Sequence, residues 1–327
     1  MILILTNLRE SSSSSVIDWL NYYNEKWIRV NSFDFETGEL SIQYDQDSFL
    51  ITSDNSGGID LSQLKKAWYR RPPLYSVFNY QVKEDNTYFG IKVNTFTLSE
   101  KATITQLFVN HIDDDTWLTH PDSVLINKTY QLKVARACGL LTPDTLITSS
   151  KKSLLEFIKK RPSVIFKPLQ NVLSIKIDGQ SYALYTSELC EDDINALDEQ
   201  FYPTQFQERI EKKYEVRTFY LDGEFYSMAI FSQNSQQSKV DFRNNNLDSL
   251  NRYVPYKLSK EIEDKVTRFM KQIKLNCGSI DLICDKMNRY HFLEVNPVGQ
   301  FGFVSYTCNY NLEKKIAKYL MNEPRNQ

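Results

Sequence analysis

The chain is predicted to be a multi-lobed α/β protein, and three observations carry that prediction. Its 327 residues are enough for two or three separate cores. Short apolar runs bounded by Gly, Pro and Asn alternate with segments of helical period. Late in the chain, Gly278-Ser279-Ile280-Asp281 and Phe292-Leu293-Glu294-Val295-Asn296-Pro297 read as two paired strands that carry carboxylates inside apolar sequence.

In order, Ile2–Leu5 reads as a buried first strand, too short and too poor in basic flank for a signal peptide. Residues 9–15, with five serines, read as a loop and helix N-cap before helical period resumes at Val16. Strands are expected at 27–31, 48–52 and 67–69, with Gly57-Gly58 as a turn and the prolines after Arg70-Arg71 ending the last strand. A helix over 99–110 leads to the next lobe. There, helix 129–138 stops at Gly139, placed as a C′ glycine, and helix 152–160 and strand 164–167 follow. The acidic segment 187–200 is expected to be helical. Strands 206–210, 215–221 and 224–232 follow, the last two joined by Asp222-Gly223 in a type I′ turn. Residues 232–246 read as a mobile loop, 259–273 as a helix and 312–320 as a C-terminal helix.

Composition narrows the classes of function. Basic and acidic residues nearly balance (net charge −2), so no global field points to nucleic acid or an anionic membrane. No apolar run is long enough to span a bilayer. Five cysteines without CxxC spacing are expected to be buried, reduced thiols of a cytoplasmic protein. No Ser-His-Asp, Cys-His or HExxH arrangement is present, and His111 and His120 read as structural or surface residues.

The chemistry concentrates in the late hairpin. Strict alternation would put Phe292, Glu294 and Asn296 on one face, opposite Asp281, with His291, Leu293 and Val295 on the other. Two carboxylates and a carboxamide are hard oxygen donors that suit Mg²⁺. A solvated polar face is the plain alternative, but unpaired charge within apolar strands is costly without a cation. Upstream, Lys128 lies at a loop-to-helix junction and Lys167 ends an apolar strand. Gln207-Glu208-Arg209-Ile210 is extended, and Glu215 and Arg217 share a strand face. Taken singly, the lysines read equally as surface groups and Arg217 as an ion-pair partner of Glu215.

The ordered set, from Lys128 to Gly302, resembles the ATP-grasp superfamily of ligases. That resemblance implies an ATP-grasp fold, with a pre-grasp lobe over 1–110 and grasping subdomains over 111–205 and 206–327. It implies ATP and Mg²⁺ as cofactors. Lys128 and Lys167 would contact phosphates. Gln207, Glu208, Arg209 and Ile210 would form the adenine linker, Glu215 would meet the ribose and Arg217 the γ-phosphate. Asp281, Glu294 and Asn296 would hold the metal. One departure is the stretch 169–174 after Lys167-Pro168, which lacks the glycines of the usual phosphate lid.

Two further motifs, Trp68-Tyr69-Arg70-Arg71-Pro72 and Ser232-Gln233 followed by Lys239-Val240-Asp241-Phe242-Arg243, resemble the WYRRP and SQ…KVDxR patterns of graspetide (microviridin-type) synthetases. So does the Gly299-Gln300-Phe301 tail after the metal strand. The overall pattern is similar to the grasp-with-spasm branch. The implied activity is crosslinking of a ribosomally made precursor peptide, leader plus core, through ω-ester or ω-amide bonds. Lys239, Asp241 and Arg243 would act on the substrate, although Asp241 reads equally as a salt-bridge partner. Arg70 and Arg71 would reach substrate or nucleotide, or else stabilise a turn. A homodimer is also implied. Two alternatives stand beside this reading: a glutamate-ligase-like enzyme adding a free amino acid, and a non-catalytic peptide-binding module.

Overall fold

The computed structural model describes residues 1–31, 33–46, 48–53, 56–71, 87–161, 163–169, 174–177, 180–183, 186–232 and 251–322. The chain gathers into two compact units. The first comprises Met1–Leu125, Leu275–Gly278 and Pro297–Gln327; the second comprises Ile126–Lys274 and Ser279–Asn296.

The first unit begins with β1 (Ile2–Thr6), α1 (Ser11–Tyr22) and β2 (Trp27–Asn31). It continues with β3 (Ser41–Tyr44), β4 (Phe49–Ser53), β5 (Ser56–Asp60), β6 (Lys66–Tyr69) and α2 (Tyr88–Asn110). β1 lies between β2 and β6 in a parallel sheet and is buried at all five positions, as its unbroken apolar run requires. Leu3 and Leu5 pack with Val30, Phe49, Phe108 and Trp117, so α2 and the antiparallel sheet β3-β4-β5 share this core.

Three expectations change here. The serines 11–15 are helical, and Glu10 is the N-cap, accepting from Ser13 N–H at 2.5 Å. Their hydroxyls donate back to carbonyls one turn earlier (Ser13 Oγ to Glu10 O, 2.9 Å; Ser15 Oγ to Ser11 O, 3.3 Å), so a serine run need not leave the helix. Gly57 and Gly58 lie within β5, where a Cβ on Gly58 would meet Thr52 Cγ2 at 3.2 Å. α2 starts at Tyr88, capped by Thr87, eleven residues before the expected start.

The second unit opens with α3 (Lys128–Ala137), β7 (Thr145–Ser150), α4 (Lys151–Ile158), β8 (Val164–Lys167), β9 (Ser174–Ile177) and β10 (Gln180–Ala183). Then come β11 (Ser187–Glu188), α5 (Glu191–Ala196), β12 (Gln200–Glu208), β13 (Lys212–Leu221) and β14 (Glu224–Phe231). β15 (Arg252–Tyr256), α6 (Lys260–Gln272), β16 (Cys277–Asp285) and β17 (Tyr290–Asn296) complete it. Two sheets dominate, β11-β8-β12-β7 and β15-β14-β13-β16-β17, with β9-β10 a separate hairpin. The segment 187–200 is a two-residue strand, a six-residue helix and the start of β12 instead of one helix. Leu189 and Leu197 flank the short helix and pack on Leu154, Val164 and Phe206, and that burial outweighs local helix preference. Asp222 and Gly223 both have positive φ (43° and 95°), as a type I′ turn demands. Two final helices, α7 (Gly302–Cys308) and α8 (Leu312–Leu320), return to the first unit, where α8 packs on α1 and β6. The expected loop 232–246 lies outside the described residues from 233 onward.

The five cysteines are unbridged; Cys138, Cys277, Cys284 and Cys308 are buried and Cys190 is exposed. Burial pushes the Cys277 thiol up to about 11, only partly offset by its hydrogen bond with Thr119, so it stays protonated at neutral pH. His111 packs at a tilt against Phe49, and His120 lies edge-on to Trp117.

His291 has a structural role. Its Nε2 lies 3.0 Å from Asp285 Oδ2, and the same carboxylate accepts the Met287 and Arg289 N–H groups across the β16–β17 turn. Burial by itself would raise the Asp285 pKa, but these donors and the Arg289 side chain together hold it well below the usual carboxylate range. A depressed folded-state pKa gives stability that is complete above the unfolded value (about 3.9) and is lost as pH falls through the folded value. Asp285→Asn is therefore expected to lower the melting temperature at pH 7 and to narrow its gap from wild type below about pH 3. Melting curves from pH 2 to 8 check this; a gap independent of pH contradicts the ion-pair account.

Candidate active site

β16 and β17 pair with Asp281 opposite Glu294 and Ser279 opposite Asn296, so Asp281, Glu294 and Asn296 share one face. A bulge at Leu293 then shifts the register, and Leu282 lies opposite Phe292. The strict alternation read from the sequence is corrected here. Phe292 is on the core face with Val295, fully buried against Phe269 at a ring separation of 4.7 Å. Burying that ring contributes about 1.5–3 kcal/mol, enough to favour the extra residue in the strand.

Cations already meet both carboxylates. Lys128 Nζ is 2.9 Å from Glu294 Oε2, and Arg217 Nε is 3.7 Å from Asp281 Oδ1. All four side chains keep some solvent access, and Arg217 Nε is buried without a hydrogen-bond partner among the described residues. Among the described residues no three His, Cys, Asp or Glu side chains converge as a metal cage. Mg²⁺ has no need of one, since it commonly takes one or two carboxylates and completes its shell with water and phosphate. Asp281, Glu294 and Asn296 fit that donor set.

Sequence reasoning missed the residue that aligns these groups. Gln131 is buried on α3, and its side chain forms a two-point clamp on β17. Nε2 donates to Val295 O at 3.1 Å, and Oε1 accepts from Val295 N–H at 3.0 Å. β17 is the sheet edge, and Gln131 together with Leu141, whose carbonyl accepts Phe292 N–H at 2.7 Å, covers it. The clamp ties α3 to β17 one turn from Lys128, which meets Glu294 on the same strand. A polar residue on the buried Leu132–Val134–Ala135 side of α3 was the available signal.

The residues expected at the nucleotide lie on the other sheet and its exit. Lys167, Gln205 and Ile147 are cross-strand neighbours, as are Ile165, Gln207 and Thr145, so they share one face; Phe166 and Phe206 point to the Leu154 core. Gln207 is buried and donates to Thr145 Oγ1 at 2.9 Å. Glu208 accepts from Asp144 N–H at 3.3 Å, and Arg209 pairs with Glu188 at 3.0 Å. Ile210, half-buried, has no acceptor for its N–H among the described residues. Glu215 pairs with buried Lys212 and accepts from Ser232 at 3.3 Å. Ser174 begins β9; residues 170–173 of the expected lid, and Lys239, Asp241 and Arg243, lie outside the described residues.

Arg70 and Arg71 belong to the first unit. Arg70 is 2% exposed, pairs with Glu10 at 3.5 Å and donates to Val298 O (2.7 Å) and Gly299 O (3.0 Å). Its guanidinium lies over the rings of Phe301 and Trp68. Burial lowers its pKa to about 10, with Glu10 opposing, so it stays charged at neutral pH. This is a setting for holding the 297–301 loop. Arg71, half-buried, accepts a hydrogen bond at its carbonyl from Asn7. Arg70→Ala strands the Glu10 carboxylate and is expected to destabilise the protein by about 3–5 kcal/mol. Chemical denaturation measures this, and a loss under about 1 kcal/mol would fit a surface role better.

A family model described as the RimK-like ATP-grasp domain matches residues 126–320, more than half of the chain. The chain belongs to the RimK-like ATP-grasp family. It is therefore an ATP-dependent ligase, and the β16–β17 face and the Lys167 face lie within the matched ATP-grasp region. The chain is similar along its length to the macrocyclase MdnC bound with precursor peptide MdnA from Microcystis aeruginosa MRC. The identity is 27% and the TM-score 0.81, over 98% of this chain and 99% of that one. It is similar also to a Chryseobacterium gregarium RiPP-associated ATP-grasp ligase in complex with ADP and a leader and core peptide. Here identity is 25% and the TM-score 0.83, over 99% and 97% of the two chains. The ligase PsnB, complexed with minimal precursor, Mg and ADP, shares the fold at 16% identity and a TM-score of 0.75, over 98% and 97%. A search of the curated proteins finds no match. Among the described residues of this ATP-grasp ligase, no helix is long and apolar enough to cross a membrane.

Proposed function

We propose that this ligase crosslinks a ribosomally made precursor peptide. The γ-phosphoryl group of ATP passes to a side-chain carboxylate of Asp or Glu, giving an acyl phosphate and ADP. A Ser or Thr hydroxyl, or a Lys amine, of the same peptide then attacks that carbonyl and releases phosphate. Each ring forms one ω-ester or ω-amide and removes, in net, one water from the peptide. The observation that carries the reading is the pairing of Asp281 and Glu294 across β16–β17, with Arg217 and Lys128 on the two carboxylates. Similarity along the length of the chain to two ligases solved with peptides supports the substrate class.

Such transfer requires alignment and charge neutralisation more than covalent help. In this reading Lys128 and Lys167 hold phosphate oxygens and Arg217 faces the transferring group. The Glu208 carbonyl and Ile210 N–H take the adenine edge, with Glu215 at the ribose. Asp281, Glu294 and Asn296 would hold Mg²⁺, which would supply positive charge where negative charge gathers on the phosphates. Lys239, Asp241 and Arg243 act on the peptide. Hydroxylamine added with ATP and precursor tests the chemistry. A hydroxamate on Asp or Glu side chains is expected; steady ATP cleavage with no hydroxamate contradicts an acyl phosphate.

We also read the protein as a homodimer. The first half of α2 exposes Phe89, Ile91, Val93, Phe96 and Leu98 with Lys92 the one charge among residues 88–98. Five exposed large apolar side chains within ten residues are a cluster and not the scattered singles of an ordinary surface, and a second copy of this chain would cover them. Phe89→Asp with Phe96→Asp should give a monomer by sedimentation, and a monomeric wild type overturns the reading.

A further inference from the structure

A buried polar atom without a partner is rare in a folded chain and requires a reason. One such atom stands on the Lys167 face of the second unit. Gln205, on β12, is 1% exposed, and its side-chain Oε1 is buried with no hydrogen-bond partner among the described residues. Gln207, two residues along the same face, is buried to the same degree but donates to Thr145 Oγ1 at 2.9 Å. The flanking strands account for the difference. Gln207 stands between Thr145 on β7 and Ile165 on β8, whereas Gln205 stands between Ile147 on β7 and Lys167 on β8. Where β7 offers Gln207 a hydroxyl, it offers Gln205 only hydrocarbon. Lys167 is therefore the polar side chain directly beside Gln205 in the sheet.

Directly opposed residues of an antiparallel pair have Cβ atoms about 4.5–5.5 Å apart, so a carboxamide and a lysine stem can meet. The lysine ammonium is a compact charge on a flexible four-carbon stem, with three N–H donors and no acceptor. A phosphate group takes one or two of those donors. The remaining one, turned to the strand, needs an oxygen, because a desolvated ammonium without one is costly. A carboxylate at this position would hold the ammonium but set a negative charge against the phosphates. A neutral carboxamide orients the ammonium and leaves its charge for the nucleotide. Gln207, the glutamine nearer the expected adenine linker 208–210, already has Thr145, so the orphan lies on the lysine side.

We infer that Gln205 is the positioning residue for Lys167. Its Oε1 accepts one ammonium hydrogen when nucleotide is bound, and so fixes the Lys167 charge against the phosphates. Gln205 touches no phosphate itself and acts through the lysine. The inference rests on the reading of Lys167 as a phosphate contact. In the empty protein the orphan oxygen is a standing penalty, and nucleotide binding removes it.

The test compares wild type, Gln205→Met, Lys167→Met and the double variant as full-length enzymes. Calorimetry measures binding of a non-hydrolysable ATP analogue with Mg²⁺, and of adenosine, which lacks phosphate. Gln205→Met keeps the volume and removes the acceptor. It should weaken the analogue at least about tenfold, the worth of a hydrogen bond to a charged group, and leave adenosine unaltered. In the Lys167→Met background the same change should cost nothing further, because the group it orients is gone. The melting temperature of empty Gln205→Met should equal or exceed that of wild type, since a buried unpaired acceptor has been removed.

Undiminished affinity of Gln205→Met for the analogue overturns the inference, as do additive losses in the double variant. Equal losses for the analogue and adenosine would give Gln205 to the base and overturn it too. A lowered melting temperature, or failure to fold, would show that Oε1 is already satisfied in the protein and remove the premise. The reading of Lys167 fails separately: it falls if Lys167→Met binds the analogue as wild type does, whereas a loss in Lys167→Met with none in Gln205→Met strikes the positioning role alone.

Discussion

Replacing Glu294 by Gln is expected to remove ATP-dependent turnover almost entirely, by at least about 10²–10³-fold, the cost of deleting one strong electrostatic group from a preorganised site. The side chain keeps its size and its place opposite Asp281, so β16–β17 pairing should persist. What changes is charge. The partner of Lys128 at 2.9 Å becomes neutral, and the donor set loses one of its two carboxylates. Affinity for precursor peptide should stay within about twofold, because peptide contacts are assigned to other residues. Turnover and peptide binding measured on one preparation separate these effects. Undiminished crosslinking would refute the metal assignment, and a joint loss of both would indicate misfolding of the strand.

Gln131→Ala should show the largest effect of any residue outside the charged set. Truncation leaves Val295 N–H and Val295 C=O without their side-chain partner at the sheet edge. Each such group costs about 1–3 kcal/mol when buried and unpaired. The melting temperature should fall by several degrees, and activity should fall further than stability explains, because the first turn of α3 no longer fixes Lys128. Gln131→Glu discriminates the two effects. It retains an acceptor for Val295 N–H but sets a carboxylate against Val295 C=O. An unchanged melting temperature in Gln131→Ala would show that the clamp is not structural. Unchanged activity with lowered stability would show that it does not position Lys128.

Much of this molecule could be read from local pattern. β2 and β8 span the residues that apolar alternation marks, and α8 the residues that helical period marks. Gly139, with φ of 84°, ends the stretch of α3 as a C′ glycine does. Asp281 and Glu294 could be paired across a hairpin because strands alternate and a turn separates them. What could not be read depended on tertiary choice. The bulge at Leu293 follows from the demand of the core for Phe292, which no strand period encodes. The helical serines of α1 are decided by a Glu10 cap that also faces Arg70. For Arg70 the motif leaves substrate contact and turn stabilisation equally open, and its burial against Val298, Gly299 and Phe301, which favours the second, is a long-range contact that the motif does not encode. Gln131 was invisible because side-chain clamping of a strand edge joins residues 164 positions apart.

The central claim is that ATP energy closes bonds within one peptide. The most direct measurement is the mass spectrum of a candidate precursor, encoded beside this gene, after incubation with the enzyme, ATP and Mg²⁺. Loss of one water per ring, absent when ATP is withheld, is the predicted result. An unchanged peptide mass while ATP is consumed would contradict it and favour a ligase that joins a free amino acid to its acceptor.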